Sequence, residues 1–229
     1  MSDANANEKS RNIDIVFCID GTGSMTPCIE MVKEHALRFH KELKDCIEAN
    51  RGKMSSLRIK VIVFRDYEYD GDNTMQISEF FELSAGDEAE YKSYLDNVVA
   101  QGGGDAPENG LEAIYFAMKS SFKAGPNDRQ IIVLFSDTDA LKLGARKGCP
   151  NYPDDMVDEQ GFKDMWNCSS QTGTLNKSLR RLVIIAPPGS YYEKIIEPLE
   201  DCYYLPTEDL GLKDVNFNDV IKIIEKSTK

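Results

Sequence analysis

Asp20, Thr22 and Ser24 close the stretch IDIVFCIDGTGSM, in which an apolar run stops at alternating oxygen-bearing side chains separated by glycines. One carboxylate and two hydroxyls at that spacing form a ligand set for a hard cation, Mg2+, Mn2+ or Ca2+, all of which prefer oxygen donors. Gly21 and Gly23 permit the tight backbone that lets the three side chains converge. Two more turns share this character: GGGDAPENG (102–110) carries Asp105 and Glu108, and SDTD (136–139) carries Asp137 and Asp139. A single loop aspartate is ordinarily a turn former or a helix cap. Three oxygen-rich turns on one edge of a sheet argue instead for ligation.

The elements around these turns must bring them to a common edge. Ile13–Ile19 reads as a strand buried on both faces, as at the centre of a parallel sheet covered by helices. LRIKVIVF (57–64), Ile131–Phe135 and Arg181–Ala186 read the same way, with a shorter strand at 202–205. Thr26 and Pro27 open an amphipathic helix in which Ile29, Val32, Ala36, Phe39, Leu43 and Cys46 recur at helical spacing, ending near Asn50–Gly52. Further helices are expected over Asp87–Ala100, from the first turn at Pro107 through Phe122, over EQGFKDMW (159–166), near Leu175–Leu179, from Tyr191, and over Asn218–Ser227. Alternating strands and helices imply a three-layer α/β sandwich with a mainly parallel sheet. Its ligand sites belong beyond the carboxyl ends of the strands.

Bulk properties narrow the partners. A chain of 229 residues suits one domain, here 12–229 behind a polar, flexible tail at 1–11. The 39 acidic residues against 27 basic ones give a net charge of −12, which argues against nucleic acid and anionic membrane and favours a cation or a basic partner. Six cysteines without a CxxC pair read as reduced, and the N-terminus MSDANANEKSR lacks a signal-peptide core, so the expected location is cytoplasmic. His35 and His40, five apart in a helix, point about 140° apart and form no zinc site of the usual composition.

DGTGS after a buried strand, GGGDAPE before a helix and SDTDA after a second buried strand resemble the von Willebrand factor type A domain and its metal-ion-dependent adhesion site. The likeness runs in order along nearly the whole chain, and FRDY (64–67) and NYPDDM (151–156) are similar to intracellular, microbial-type members. The resemblance implies one antiparallel edge strand, at 74–83, and a divalent cation, Mg2+ first, that offers an open position to an oxygen of a protein partner. Asp20, Thr22 and Ser24 match the family's DxSxS motif, with Thr in place of the first Ser, and Asp137 matches the acid that usually reaches the metal through water. Where adhesion-type members carry a threonine this chain has GGGD, which makes Asp105 the substitute ligand. A third carboxylate turns a neutralised site net anionic, so metal should be held more firmly and an acidic partner residue should matter less. Arg65, Asp66, Glu108 and Asp139 are assigned to the rim.

Enzymatic readings find less support. A phosphatase of the haloacid dehalogenase type needs a carboxylate two residues before Asp20, where this chain has Cys18. GTGS is followed by no lysine of a phosphate loop, and no GxSxG elbow occurs. The alternative that survives is metal-assisted hydrolysis of a phosphoester, with water as nucleophile at the same cation.

Overall fold

The computed structural model describes residues 10–36, 38–50, 52–104, 106–169, 173–208, 210–213 and 215–228. Five of its strands are parallel: β1 (Arg11–Asp20), β2 (Met54–Phe64), β5 (Asp128–Phe135), β6 (Arg180–Ala186) and β7 (Cys202–Pro206). Two short strands, β3 (Met75–Ile77) and β4 (Phe81–Glu82), both run antiparallel to β2, and the sheet order is β3-β2-β1-β5-β6-β7. The expected three-layer sandwich with an antiparallel edge is therefore present. The edge is broken, however, at Ser78, whose hydroxyl accepts the Val61 N–H at 2.9 Å in place of a regular ladder group.

Side-chain parity along the strands sorts the core into two layers. Ile13, Ile15, Phe17 and Ile19 of β1 join Ile131, Val133 and Phe135 of β5 on one face. That face is covered by α1 (Thr26–His35), α2 (Phe39–Ala49), α3 (Glu88–Asp96) and α7 (Phe217–Ser227). Val16 and Cys18 join Ile132 and Leu134 on the other, under α4 (Gly110–Met118), α5 (Glu159–Trp166) and α6 (Tyr191–Ile196). Strands buried on both faces are apolar at most positions, which is why they read as near-continuous runs; in β1 the exception is Asp14, buried and bonded by the Arg58 Nε at 2.8 Å.

The local expectations need four corrections. The first helix is two, because the chain turns at Ala36 and Arg38, where the Arg38 N–H donates to the His35 carbonyl at 2.9 Å. Phe217 at the start of α7 stacks on His35 at 4.1 Å and meets Phe39 edge-on at 5.6 Å, a tertiary packing that no local periodicity announces. Pro107 precedes α4 instead of sitting in its first turn; Asn109 is the N-cap. Leu175–Leu179 forms turns and no helix. Arg11 already belongs to β1, so the expected tail at 1–11 overlaps the sheet; residues 1–9 lie outside the described residues. Among the described residues no helix is long and apolar enough to cross a membrane.

Register sets the geometry of the site. Asp20 pairs with Phe64 of β2, and Ile19 pairs with Phe135 of β5. The turns after β1, β2 and β5 accordingly leave the sheet side by side at its carboxyl edge, with β1 between its two parallel neighbours.

Candidate metal centre

Asp20 ends β1 fully buried, and both of its carboxylate oxygens are engaged. Thr22 donates to Oδ1 through its backbone N–H at 3.0 Å and its hydroxyl at 2.7 Å, while the Ser136 hydroxyl donates to Oδ2 at 2.8 Å. The Thr22 and Ser24 hydroxyl oxygens lie 3.3 Å apart, and Ser24 is exposed. Adjacent ligands of an octahedral cation with metal–oxygen bonds of about 2.1 Å stand ~3 Å apart. The observed 2.7 and 3.3 Å bracket that spacing. Gly21 makes this turn possible, since a Cβ there would lie 2.5 Å from Val63 and 2.8 Å from the Arg65 guanidinium.

Burial pushes the Asp20 carboxyl up to about 6; the Asp137 carboxylate adds to the rise, and the bonds from Thr22 and Ser136 oppose it. Asp137 is buried on the turn after β5. Its Oδ2 accepts the Gly211 N–H at 2.8 Å, and its Oδ1 is buried with no hydrogen-bond partner. Gly211 has φ +69°, and a Cβ there would come within 2.4 Å of the Ser24 carbonyl oxygen, so the 210–212 turn laps over both site loops. An unpaired, buried carboxylate oxygen is costly unless a cation or water reaches it. Asp105 lies outside the described residues. Among those described, no three His, Cys, Asp or Glu side chains gather into a group that could hold a metal ion.

Of the residues assigned to the rim, Arg65 and Asp66 are instead buried and engaged inside the protein. Arg65 donates to four backbone carbonyls: Gly21 at 3.0 Å, Gln101 at 2.8 Å, Asn73 at 2.7 Å and Val99 at 2.8 Å. Asp66 takes both arms of the Arg146 guanidinium, one of them at 2.7 Å, and so ties the 141–158 segment to the turn after β2. Asp139 is exposed and accepts the N–H groups of Ala140 and Tyr191, the second of which starts α6. Asp70, which no sequence pattern marked, organises the glycine run: its carboxylate accepts the Gly103 N–H at 3.2 and 3.3 Å. A Cβ on Gly102 would overlap that same carboxylate at 1.8 Å. Gly102 and Gly103 have φ +72° and +76°, a left-handed conformation open to glycine.

Glu108 lies 2 % exposed where its loop meets the turn after β5, with its N–H donating to the Asp139 carbonyl. Its Oε2 has no hydrogen-bond partner, and Gly103 wedges between its Oε1 and Thr22. Burial first, then the carboxylates of Asp20, Asp66 and Asp70, push it up to about 8, against the opposing charge of Arg146. Between its ordinary 4.5 and about 8 the metal-free native state therefore holds a proton that the unfolded chain releases, and stability falls as pH rises through that window. Glu108→Gln is expected to flatten this fall in thermal melts taken in EDTA from about pH 4 to 9; an unchanged slope would remove Glu108 as its source. Cys18, two residues before Asp20, is fully buried with its thiol pushed far up by burial, and so it supplies no nucleophile here.

A family model for the von Willebrand factor A domain matches residues 14–144, which include the turns after β1, β2 and β5 and the glycine run at 102–104 but not the 210–212 turn. Among curated proteins the chain is similar to the alpha-protein kinase vwkA of Dictyostelium discoideum, 26% identical over 148 residues. That match covers 63% of this chain, and the chain spans about a fifth (21%) of the relative's length. Among solved structures it is similar to the pilus adhesin SpaC of Lactobacillus rhamnosus GG in its open conformation, with a TM-score of 0.52 at 11% identity, covering 95% of this chain and 30% of that one. A von Willebrand factor type A protein of Catenulispora acidiphila aligns with a TM-score of 0.48 at 12% identity, over 96% of this chain and 42% of that one.

Proposed function

This chain belongs to the von Willebrand factor A domain family, and on that premise we propose that it is a protein-interaction module whose grip on its partner runs through a divalent cation. Domains of this family generally serve adhesion and protein interaction. The cation, Mg2+ in preference to Mn2+ or Ca2+, is assigned to Asp20, Thr22, Ser24 and Asp137, with Asp105 as the further ligand. The observation that carries this reading is the unpaired, buried Oδ1 of Asp137 beside an Asp20 carboxyl whose charge is disfavoured without a counter-ion. When bound, the ion supplies a coordination position open to an oxygen of the partner.

The chain's own residues do the rest. Asp20 is oriented by Thr22 and Ser136, and Gly211 fixes the rotamer of Asp137. Ser24, on the exposed side of the turn, marks where a partner would enter. Calorimetry should show Mg2+ and Mn2+ uptake by the purified protein, and a partner captured in Mg2+ should be released by EDTA and missed by Asp20→Ala. Absence of uptake at generous excess would sink the proposal.

Asp105→Thr restores the residue type of adhesion-type sites. The expected result is Mg2+ affinity lowered by about tenfold, from the loss of one negative charge, and a stronger contribution from an acidic partner residue. Titration of metal and partner into both proteins measures the two effects; equal affinities in variant and parent would overturn the role of Asp105.

A further inference from the structure

Independently of the cation, the far edge of the sheet carries a second interaction chemistry. β7 is last in the strand order and, among the described residues, pairs with β6 alone. The ladder fixes which of its backbone groups are already engaged. Leu182 N–H donates to the Asp201 carbonyl at 3.0 Å, and Thr207 N–H donates to the Ala186 carbonyl at 3.1 Å, so odd-numbered residues turn their backbone toward β6. Cys202 and Tyr204 therefore aim N–H and C=O groups away from the sheet, and Pro206, which has no N–H, ends the row.

Cavities flank this edge on both faces. On the α7 side a cavity of about 440 Å3 lies between Tyr203, Leu205 and Ile223, with Lys226 as its charged group. Tyr203 is 46 % exposed there. On the α6 side a cavity of about 370 Å3 is lined by Tyr204 and Leu199 and bears two carboxylates, Glu193 and Glu197, against the single Lys194. A strand laid along β7 would send alternate side chains into these two cavities, since successive residues of a strand face opposite ways. Apolar residues suit the first, and cationic residues suit the second.

We propose that β7 is a strand-addition site for an extended segment of another protein whose residues alternate apolar and basic. A second copy of this chain fits the edge less well. About a twofold axis through Tyr204, Cys202 would fall opposite Pro206, which has no N–H to donate, and two chains of charge −12 repel. A foreign basic segment gains from the same charge.

The test uses the full chain and a synthetic probe, the heptapeptide Lys-Val-Lys-Val-Lys-Val-Lys, with a copy N-methylated at alternate backbone nitrogens. Saturating peptide should slow hydrogen exchange at the Cys202 and Tyr204 amides by about tenfold or more, and the N-methylated copy should not. Ile223→Lys, which places a cation in the apolar cavity without touching the ladder, should weaken peptide binding by about tenfold and leave Mg2+ uptake unchanged. Protection of both amides before peptide is added would overturn the proposal, whether it scales with protein concentration, indicating a second copy, or vanishes on removal of residues 1–9, indicating the chain's own N-terminus. Peptide-induced shifts confined to the carboxyl edge of the sheet would overturn it as well.

Discussion

Asp20→Asn is expected to abolish Mg2+ and Mn2+ uptake and, with metal withheld at neutral pH, to melt several degrees above the parent protein. The two halves of this result have one cause. Asp20 is fully buried, and burial raises its carboxyl from 3.8 to about 6, so above that pH the native state carries a charge it disfavours. At 1.36 kcal/mol per pKa unit the disfavour amounts to about 3 kcal/mol. The sign follows from proton counting: between 3.8 and about 6 the folded chain binds more protons than the unfolded one, stability falls as pH rises, and above the window the cost is present in full. Asparagine keeps an acceptor for Thr22 and carries no charge to penalise. A cation reverses the balance in the parent alone, adding ~2.7 kcal/mol at a hundred times its dissociation constant. Melting curves of both proteins in EDTA and in Mg2+ read out the crossing. A variant that melts lower than the parent in EDTA, with both proteins indifferent to Mg2+, would reduce Asp20 to a hydrogen-bonded turn residue.

What the chain discloses before folding is governed by the range of the interactions involved. The central parallel strands are legible because burial on two faces demands apolar residues at most positions, as in Ile15–Ile19 and Ile131–Phe135. DGTGS is legible for a related reason: its three oxygens lie within five residues, so local geometry alone brings them together. The break between α1 and α2 is hidden because the residue that packs across it, Phe217, lies at the other end of the chain. Arg146 is hidden in the same way, reaching across 80 residues to Asp66. Arg65 and Asp66 mislead for a different reason. Adjacent opposite charges after a strand ordinarily face water, and nothing in FRDY reports that four backbone carbonyls from other segments will converge on the guanidinium. Asp70 and Gly211 act through backbone N–H groups, which every residue but proline carries and which therefore leave no compositional trace.

Arg65→Met should then be the most damaging single change outside the apolar core, in stability and in metal affinity together. The methionine keeps much of the volume and offers no donor. Asn73, Val99 and Gln101 would each lose this partner of a carbonyl oxygen, at about 1–3 kcal/mol where water cannot replace it, while the Gly21 carbonyl would keep the Gln101 N–H at 2.9 Å. Val99 and Gln101 are exposed residues whose carbonyls would be partly resolvated, so the expected loss is on the order of 4 kcal/mol rather than the full sum. Arg65→Lys retains one charged donor group and should lose less than half as much. The same bonds join the turn after β1 to the loop that leads into Gly102–Gly104, so slackening them shifts Thr22 relative to Glu108. Mg2+ affinity should therefore fall by roughly tenfold or more in the folded fraction, as it does when groups that orient metal ligands are removed. Chemical denaturation and calorimetry on the three proteins separate the effects. If Arg65→Met folds with near-parental stability and unchanged Mg2+ affinity, the buried guanidinium is dispensable, and the carboxyl edge of the sheet must be positioned by its strand ends alone.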